Sequence, residues 1–267
     1  MSNTMNINQD ILKQSLAGKM IGDPLYYYEQ IDSTNDEAFR LGTGGAPEGT
    51  VLIAECQSAG KGRMQRVWHS PAGANIYTSI ILRPQFEVTR APQISIAAGV
   101  AVAETLNRYC PDVVRIKWPN DVLIGERKVC GILAQMKLFG SKIDFVVLGM
   151  GINVNLQHAQ FPEDIQSIAT SLAIEAGREI SRPELIISLY ENLTKWYKTL
   201  LVRGFDPVRQ AWTGLTPMMG QAVQVMFQGE VVSGRAIGLG EDGSLNLLTA
   251  GNKEVNVSAG DATIIKR

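Results

Sequence analysis

Residues 115–133 constrain the fold of this chain more than any other stretch. They read Arg-Ile-Lys-Trp-Pro-Asn-Asp and then Val-Leu-Ile-Gly-Glu-Arg-Lys-Val-Cys-Gly-Ile-Leu. Two apolar runs flank a Gly125-Glu126-Arg127-Lys128 turn, and Pro119-Asn120-Asp121 marks a bend before the first of them. Short apolar runs joined by a glycine turn pair as an antiparallel hairpin, which commits this part of the chain to a sheet. Asp121 and Lys128 flank that hairpin. Their spacing fits two arrangements: both side chains face one cavity, or they close an edge hairpin with a salt bridge.

A second unusual segment lies upstream. Residues 60–68, Gly-Lys-Gly-Arg-Met-Gln-Arg-Val-Trp, place three cations and one large aromatic within nine positions. Glycine tolerates the positive dihedrals and close approach needed by a loop around an anion, and Lys61, Arg63 and Arg66 supply charge-assisted hydrogen bonds to phosphoryl oxygens. Trp68 offers a flat face to a purine, or packs as an ordinary core aromatic. The segment is not a Walker loop, because Gly60 and Gly62 stand too close together and no Gly-Lys-Ser/Thr follows. Taken alone, a basic glycine loop is equally a solvated turn.

The rest of the chain mixes helical and strand texture. An amphipathic helix is predicted over 9–16, closed by Gly18, then a strand over 25–30. Ser33 or Thr34 caps the next helix, with Asp36 and Glu37 in its first turn. Strands over 51–55, delivering Gln57 to the basic loop, and over 76–82 precede an apolar helix over 94–109. Residues 145–149 lead into a glycine turn, where small residues leave room for a ligand and Asn153 hydrogen-bonds it. A long amphipathic helix covers 184–201, with Trp196 and Tyr197 as packing residues. From about Pro217 short alternating strands are broken by Gln228-Gly229, Asp242-Gly243 and Gly251-Asn252. That spacing suits a small closed or nearly closed barrel, joined near 213–218 without a long linker.

These two clusters, with Ser33-Thr34-Asn35, Gln57 and Gly149-Met150-Gly151-Ile152-Asn153-Val154-Asn155, stand in the order and approximate separations of the biotin protein ligases, which the chain resembles from about Pro24 to its C-terminus. Lys61, where that family often has arginine, keeps the charge without the bidentate fork, and Gln65 replaces a frequent glycine. The resemblance implies an α+β fold. A mixed-sheet catalytic domain of the biotin/lipoate ligase type is expected over 24–216, after a 1–23 extension with a short helix and before an SH3-like β-barrel over 217–267.

The function implied by the resemblance is ATP-dependent activation of biotin as biotinyl-5′-AMP, followed by transfer to a lysine of a biotin carboxyl carrier protein, that of acetyl-CoA carboxylase or a related carboxylase. Catalysis is assigned to Lys128, Asp121 and Arg63, with Asp121 either orienting the incoming lysine or accepting its proton. Biotin contacts are assigned to Ser33, Thr34, Asn35 and Gln57, with the first two on the ureido ring. Gly60, Lys61, Gly62 and Arg63 also contact biotin, as do Lys128, Gly131, Gly149 and Gly151. ATP contacts fall to Lys61, Arg63, Arg66, Trp68, Lys117, Asn120, Lys128 and Asn153. Mg²⁺ accompanies ATP by bridging the triphosphate, without dedicated protein ligands or a tightly bound prosthetic group.

Composition limits the alternatives. A 267-residue chain with 45% hydrophobic content buries a full core, and a net charge of −1 gives no global attraction to nucleic acid. The polar start and the lack of a membrane-length apolar run point to the cytoplasm. Cys56, Cys110 and Cys130 lack metal spacing and read as buried free thiols, and His69 and His158 are too far apart for a zinc site. A lipoate or octanoate ligase or transferase shares the catalytic fold, but the Gly-Lys-Gly-Arg and Lys-Trp-Pro-Asn-Asp segments match the biotin branch. A biotin-sensing repressor needs a winged helix; about 23 residues precede the first strand, with Lys13 and Lys19 their cations, so no specific DNA binding is expected. The oligomeric state stays open, with a homodimer among the arrangements.

Overall fold

The computed structural model describes residues 7–227 and 229–265, so residues 1–6 of the N-terminal extension and the Gln228 half of one expected turn lie outside the described residues. The larger of two sheets comprises β1 (Leu25–Ile31), β2 (Val51–Gln57), β3 (Ile76–Leu82), β4 (Val114–Lys117), β5 (Asp121–Ile124), β6 (Arg127–Phe139) and β7 (Lys142–Ile152). Their order is β1-β2-β3-β7-β6-β5-β4. β1 and β2 run parallel and the later neighbours antiparallel, making the sheet mixed. The hairpin read from residues 115–133 is β5–β6, with Gly125 at φ 60° in its turn.

The helices are α1 (Gln9–Leu16), α2 (Thr34–Thr43), α3 (Pro92–Asn107), α4 (Leu172–Ala176), α5 (Arg182–Arg203) and α6 (Asp206–Leu215). Ser33 is the N-cap of α2, its Oγ accepting from the Asp36 N–H, and Asp36 and Glu37 sit at the positive end of the helix dipole. α3 starts two residues earlier than the apolar run suggests, because Pro92 in the first turn has no N–H to leave unpaired. It is apolar nearly all round because it lies between the sheet and the pair α5 and α6.

Strand alternation separates two faces of this sheet. On β7, Val146, Leu148, Met150 and Ile152 join the main core, whereas Phe145 and Val147 pack beneath α2 with Ala38, Leu52 and Ile81. Gly149 and Gly151 continue the α2 face. The expected glycine turn over these residues is therefore incorrect: β7 runs unbroken to Ile152, and its glycines hollow one face instead of bending the chain.

The C-terminal segment forms β8 (Ala222–Phe227), β9 (Glu230–Leu239), β10 (Leu245–Leu248), β11 (Glu254–Val257) and β12 (Asp261–Ile264). Their order is β11-β10-β9-β8-β12, with antiparallel neighbours. Gly229, Gly243 and Asn252 take positive φ in the three connections expected to be turns. This sheet is tied to the β4–β5 connection and to α3 by specific bonds. Trp118 Nε1 donates to the Gly243 carbonyl at 3.1 Å, and Gln93 Nε2 donates to the Glu241 carbonyl.

Cys110 and Cys130 are buried free thiols, and burial pushes both thiols above their ordinary pKa. Cys56 corrects the expectation of three buried thiols: it lies near the exposed end of β2 and is only partly covered. Among the described residues no helix is long and apolar enough to cross a membrane.

Candidate active site

The hollow face of β7 becomes a cleft because its neighbours also lack side chains there. A Cβ on Gly149 would lie 1.9 Å from Asn35 Oδ1, one on Gly151 2.3 Å from Trp68 Nε1, and one on Gly131 of β6 2.9 Å from Trp68 Cζ3. None of the three needs a positive φ, so glycine is required for space rather than for dihedral freedom. The resulting cavity holds about 230 Å³. Trp68 lies across its glycine floor, with its indole N–H buried and without a hydrogen-bond partner among the described residues.

One end of the cleft is a polar network fixed by α2. The Thr34 N–H and hydroxyl donate to Gln57 Oε1 at 2.8 and 3.1 Å. Ser79 Oγ reaches Thr34 Oγ1 at 2.8 Å and Asn35 Oδ1 at 2.6 Å, while Asn35 Nδ2 donates to Gln135 Oε1 at 2.9 Å. The helix cap expected at Ser33-Thr34 and a presented set of donors and acceptors therefore coexist. Gln57 in turn donates to Ser70 Oγ at 3.1 Å, which ties this end to the chain just beyond the basic loop.

The basic loop is folded over the cleft. The Gly62 N–H donates to the Arg66 carbonyl at 2.7 Å, and the Trp68 N–H to the Gly60 carbonyl at 2.9 Å. Met64 and Gln65 sit at φ 53° and 61°, a left-handed conformation costing about 1–2 kcal/mol per non-glycine residue. Gln65 thus stands where a glycine would be unstrained. All three cations have carboxylate partners: Lys61 pairs with Asp36 at 2.7 Å, Arg63 with Asp261 at 3.1 Å, and Arg66 with Asp261 at 2.9 Å. Arg63 also donates to Asn120 Oδ1 at 3.0 Å and to the Gly260 carbonyl at 3.2 Å.

At the other end Lys128 Nζ lies 2.6 Å from Asp121 Oδ1 and 5.4 Å from the centre of the Trp68 ring. The two arrangements compatible with the hairpin thus hold together, since the salt-bridged pair lines the cavity. Asn120 is fixed from both sides, accepting from Arg63 and donating to the Ile132 carbonyl at 2.7 Å. Asn153 lines the cavity, but its amide donates to the Thr170 carbonyl at 3.0 Å.

Of the expected site residues, the cavity lining includes all but Gly60 and Lys117. Gly60 serves the loop backbone; a Cβ there would lie 2.6 Å from the Trp68 carbonyl oxygen. Lys117 ends β4 opposite Asp121, on the outermost strand of the sheet. Sequence reasoning missed an apolar wall formed by Leu156, Phe161, Ile165, Ile168 and Ala169. The helix-like spacing of 161, 165, 168 and 169 was the available signal. It also missed Asp261, which lies 198 residues beyond Arg63 and carries no motif.

Residues 27–153 match the Biotin/lipoate A/B protein ligase family. The chain is 35% identical over 243 residues to the bifunctional ligase/repressor BirA of Bacillus subtilis (strain 168), spanning 91% of this chain and 75% of that protein. It is 34% identical over 272 residues to the biotin--[acetyl-CoA-carboxylase] ligase of Mycobacterium tuberculosis, spanning 95% and 96% of the two chains. The solved biotin protein ligase from Aquifex aeolicus in complex with biotin and ATP superposes with a TM-score of 0.78 at 28% identity, covering 92% of this chain and 100% of that one.

Proposed function

We propose the following reaction for this chain, which belongs to the biotin/lipoate A/B protein ligase family. It is a biotin protein ligase. The biotin carboxylate attacks the α-phosphorus of ATP, a new O–P bond forms, and pyrophosphate leaves with the electrons of the broken P–O bond. The amine of a carrier-protein lysine then attacks the acyl carbon of biotinyl-5′-AMP, and AMP departs. Adenylation is needed because a carboxylate oxygen is a poor leaving group at neutral pH.

The observation that carries this reading is the Lys128–Asp121 pair at 2.6 Å on the wall of a glycine-floored cleft roofed by the basic loop. Charge accumulates on phosphoryl oxygens during adenylation, and cations already aimed there lower the barrier. Lys128 serves the biotin carboxylate and the bridging oxygen. Arg63, Lys61 and Arg66 exchange their carboxylate partners for phosphate oxygens. The Thr34-Asn35-Gln57 network holds the ureido ring, and the apolar wall with Trp68 holds the rest of biotin and the adenine. Among the described residues no cluster of carboxylates, histidines or thiols is set to hold a metal, so Mg²⁺ would be carried by the nucleotide and would supply charge neutralisation beside Lys61, Arg63 and Arg66.

Asp121 faces the incoming amine. A second cavity of about 210 Å³ shares Arg63, Asn120, Ile132 and Leu133 with the first, and its remaining lining is largely apolar, including Trp118, Pro119 and Met136. Asp121 lines the first cavity and not the second, so the acceptor amine is read as meeting it in the first. The five-stranded C-terminal sheet is read as an SH3-like barrel over 217–267, a domain beside a catalytic domain of 24–216, in a cytoplasmic enzyme. The test is formation of labelled adenylate from [α-³²P]ATP with biotin or with lipoate, followed by addition of a carrier domain. Biotin-dependent adenylate consumed by the carrier is expected; equal turnover of lipoate contradicts the assignment.

A further inference from the structure

Lys128 is held through its backbone as well as through its ammonium. Its N–H donates to the Ile168 carbonyl at 2.8 Å, and its carbonyl accepts from the Thr170 N–H at 2.9 Å, so residues 168–170 form a short parallel bridge against the start of β6. Ile168 and Ala169 belong at the same time to the apolar wall of the cleft. One carboxylate closes this arrangement. Glu175 in α4 accepts from Arg127 Nη2 at 2.6 Å and from Thr170 Oγ1 at 2.5 Å. It therefore bridges the residue before Lys128 to the residue that binds the Lys128 carbonyl.

An ion pair as open as this one, with Arg127 38% and Glu175 20% exposed, contributes little by charge alone. Its placement matters more. A lysine side chain has four rotatable bonds, and the ammonium of Lys128 is steadied by Asp121 at 2.6 Å. When substrate oxygens take over the ammonium, that restraint is diluted and the backbone anchor sets where the charge sits. We infer that Glu175 is a positioning residue for Lys128, acting through Arg127 and Thr170 and coupling the apolar wall to the reacting cation. The inference rests on the reading of Lys128 as the catalytic cation. Glu175 itself touches no reacting atom.

Displacing a catalytic group by about 1 Å costs up to about 10²-fold in rate, and partial loosening is expected to cost about tenfold. The experiment is biotin-dependent ATP–pyrophosphate exchange by Glu175→Gln, Thr170→Val and Thr170→Ser, with Glu175→Gln also built into Lys128→Ala. The expected result is a kcat about tenfold lower in Glu175→Gln and Thr170→Val, with the KM for biotin within about twofold of wild type. Thr170→Ser, which keeps the hydroxyl, retains wild-type kcat. In the Lys128→Ala background Glu175→Gln lowers the residual rate less than about twofold, because its target is gone. Wild-type kcat in both Glu175→Gln and Thr170→Val overturns the inference, as does an equal fold-loss with and without Lys128. If Glu175→Gln fails to fold, the Thr170→Val and Thr170→Ser pair decides. Normal exchange by Lys128→Ala alone instead removes the premise, an outcome separate from the others.

Discussion

Gly149→Ala adds one methyl group to the floor of the cleft, and its surroundings leave that methyl no room. The new Cβ would lie 1.9 Å from Asn35 Oδ1, 2.7 Å from Cγ and 2.9 Å from Nδ2. Asn35 is 5% exposed and held by Ser79 at 2.6 Å and Gln135 at 2.9 Å, so it moves only by giving up those bonds. Leaving buried polar groups unpaired costs about 1–3 kcal/mol, and overpacking adds about 1–3 kcal/mol. The strand backbone itself accepts alanine. The expected loss is therefore about 3–5 kcal/mol of folding stability, read as the midpoint of urea unfolding, with biotin affinity measured by calorimetry at least about tenfold weaker. Adding Asn35→Ala to Gly149→Ala should recover part of the lost stability, because the clashing atoms are removed. Gly214→Ala is the control: a Cβ there meets nothing within 4 Å, and α6 gains helix propensity. A Gly149→Ala protein with wild-type midpoint and biotin affinity would refute the reasoning.

Arg63→Gly removes charge-assisted contacts of about 1.5–3 kcal/mol and the side chain linking the loop to Asn120 and Asp261, so adenylate should dissociate faster. At equal turnover a streptavidin blot should show biotin on a bystander albumin; labelling equal to wild type would confine Arg63 to the first chemical step. Deleting 217–267 removes the Gly260 and Asp261 partners of Arg63 and the Gly243 partner of Trp118 and should lower carrier biotinylation even where the remainder folds. Full activity of the truncated chain would leave that sheet without a role at the cleft. Burial holds the Cys110 and Cys130 thiols protonated well above neutral pH, so titration with a thiol-specific disulfide reagent at pH 7 should find one fast equivalent, Cys56, and three after denaturation. A second fast equivalent would contradict the packing around β6 or the end of α3.

The hairpin at 115–133 was legible because a glycine turn between apolar runs has few alternatives, and it brings Asp121 and Lys128 together on one cavity wall. Residues 149–151 were misread as a turn because glycine signals both bends and missing volume. Only the tertiary neighbours, Asn35 and Trp68, distinguish the two. The wall at 156–169 folds as turns after a short 3₁₀ segment, so the helix-like spacing of 161, 165, 168 and 169 marked an apolar face without showing that it lines this cavity. The carboxylates opposing the loop cations, Asp36 and Asp261, come from α2 and β12, and no local pattern links either to residues 61–66. Lys117 is the converse case: it belongs to the Lys-Trp-Pro-Asn-Asp motif yet ends an outer strand outside the cavity lining, a placement the motif itself does not reveal.

The central claim, that the Lys128 ammonium drives adenylation in this cleft, is tested most directly by biotin-dependent ATP–pyrophosphate exchange in Lys128→Ala, with thermal unfolding recorded on the same samples. Lys128 is 33% exposed and its pair with Asp121 is partly solvated, so stability should change by less than about 1 kcal/mol. Exchange should fall about 10²-fold or more, as for the loss of a charge aimed at the reacting centre. A folded Lys128→Ala enzyme that exchanges at close to the wild-type rate would contradict the claim and reduce Lys128 to one end of a surface salt bridge.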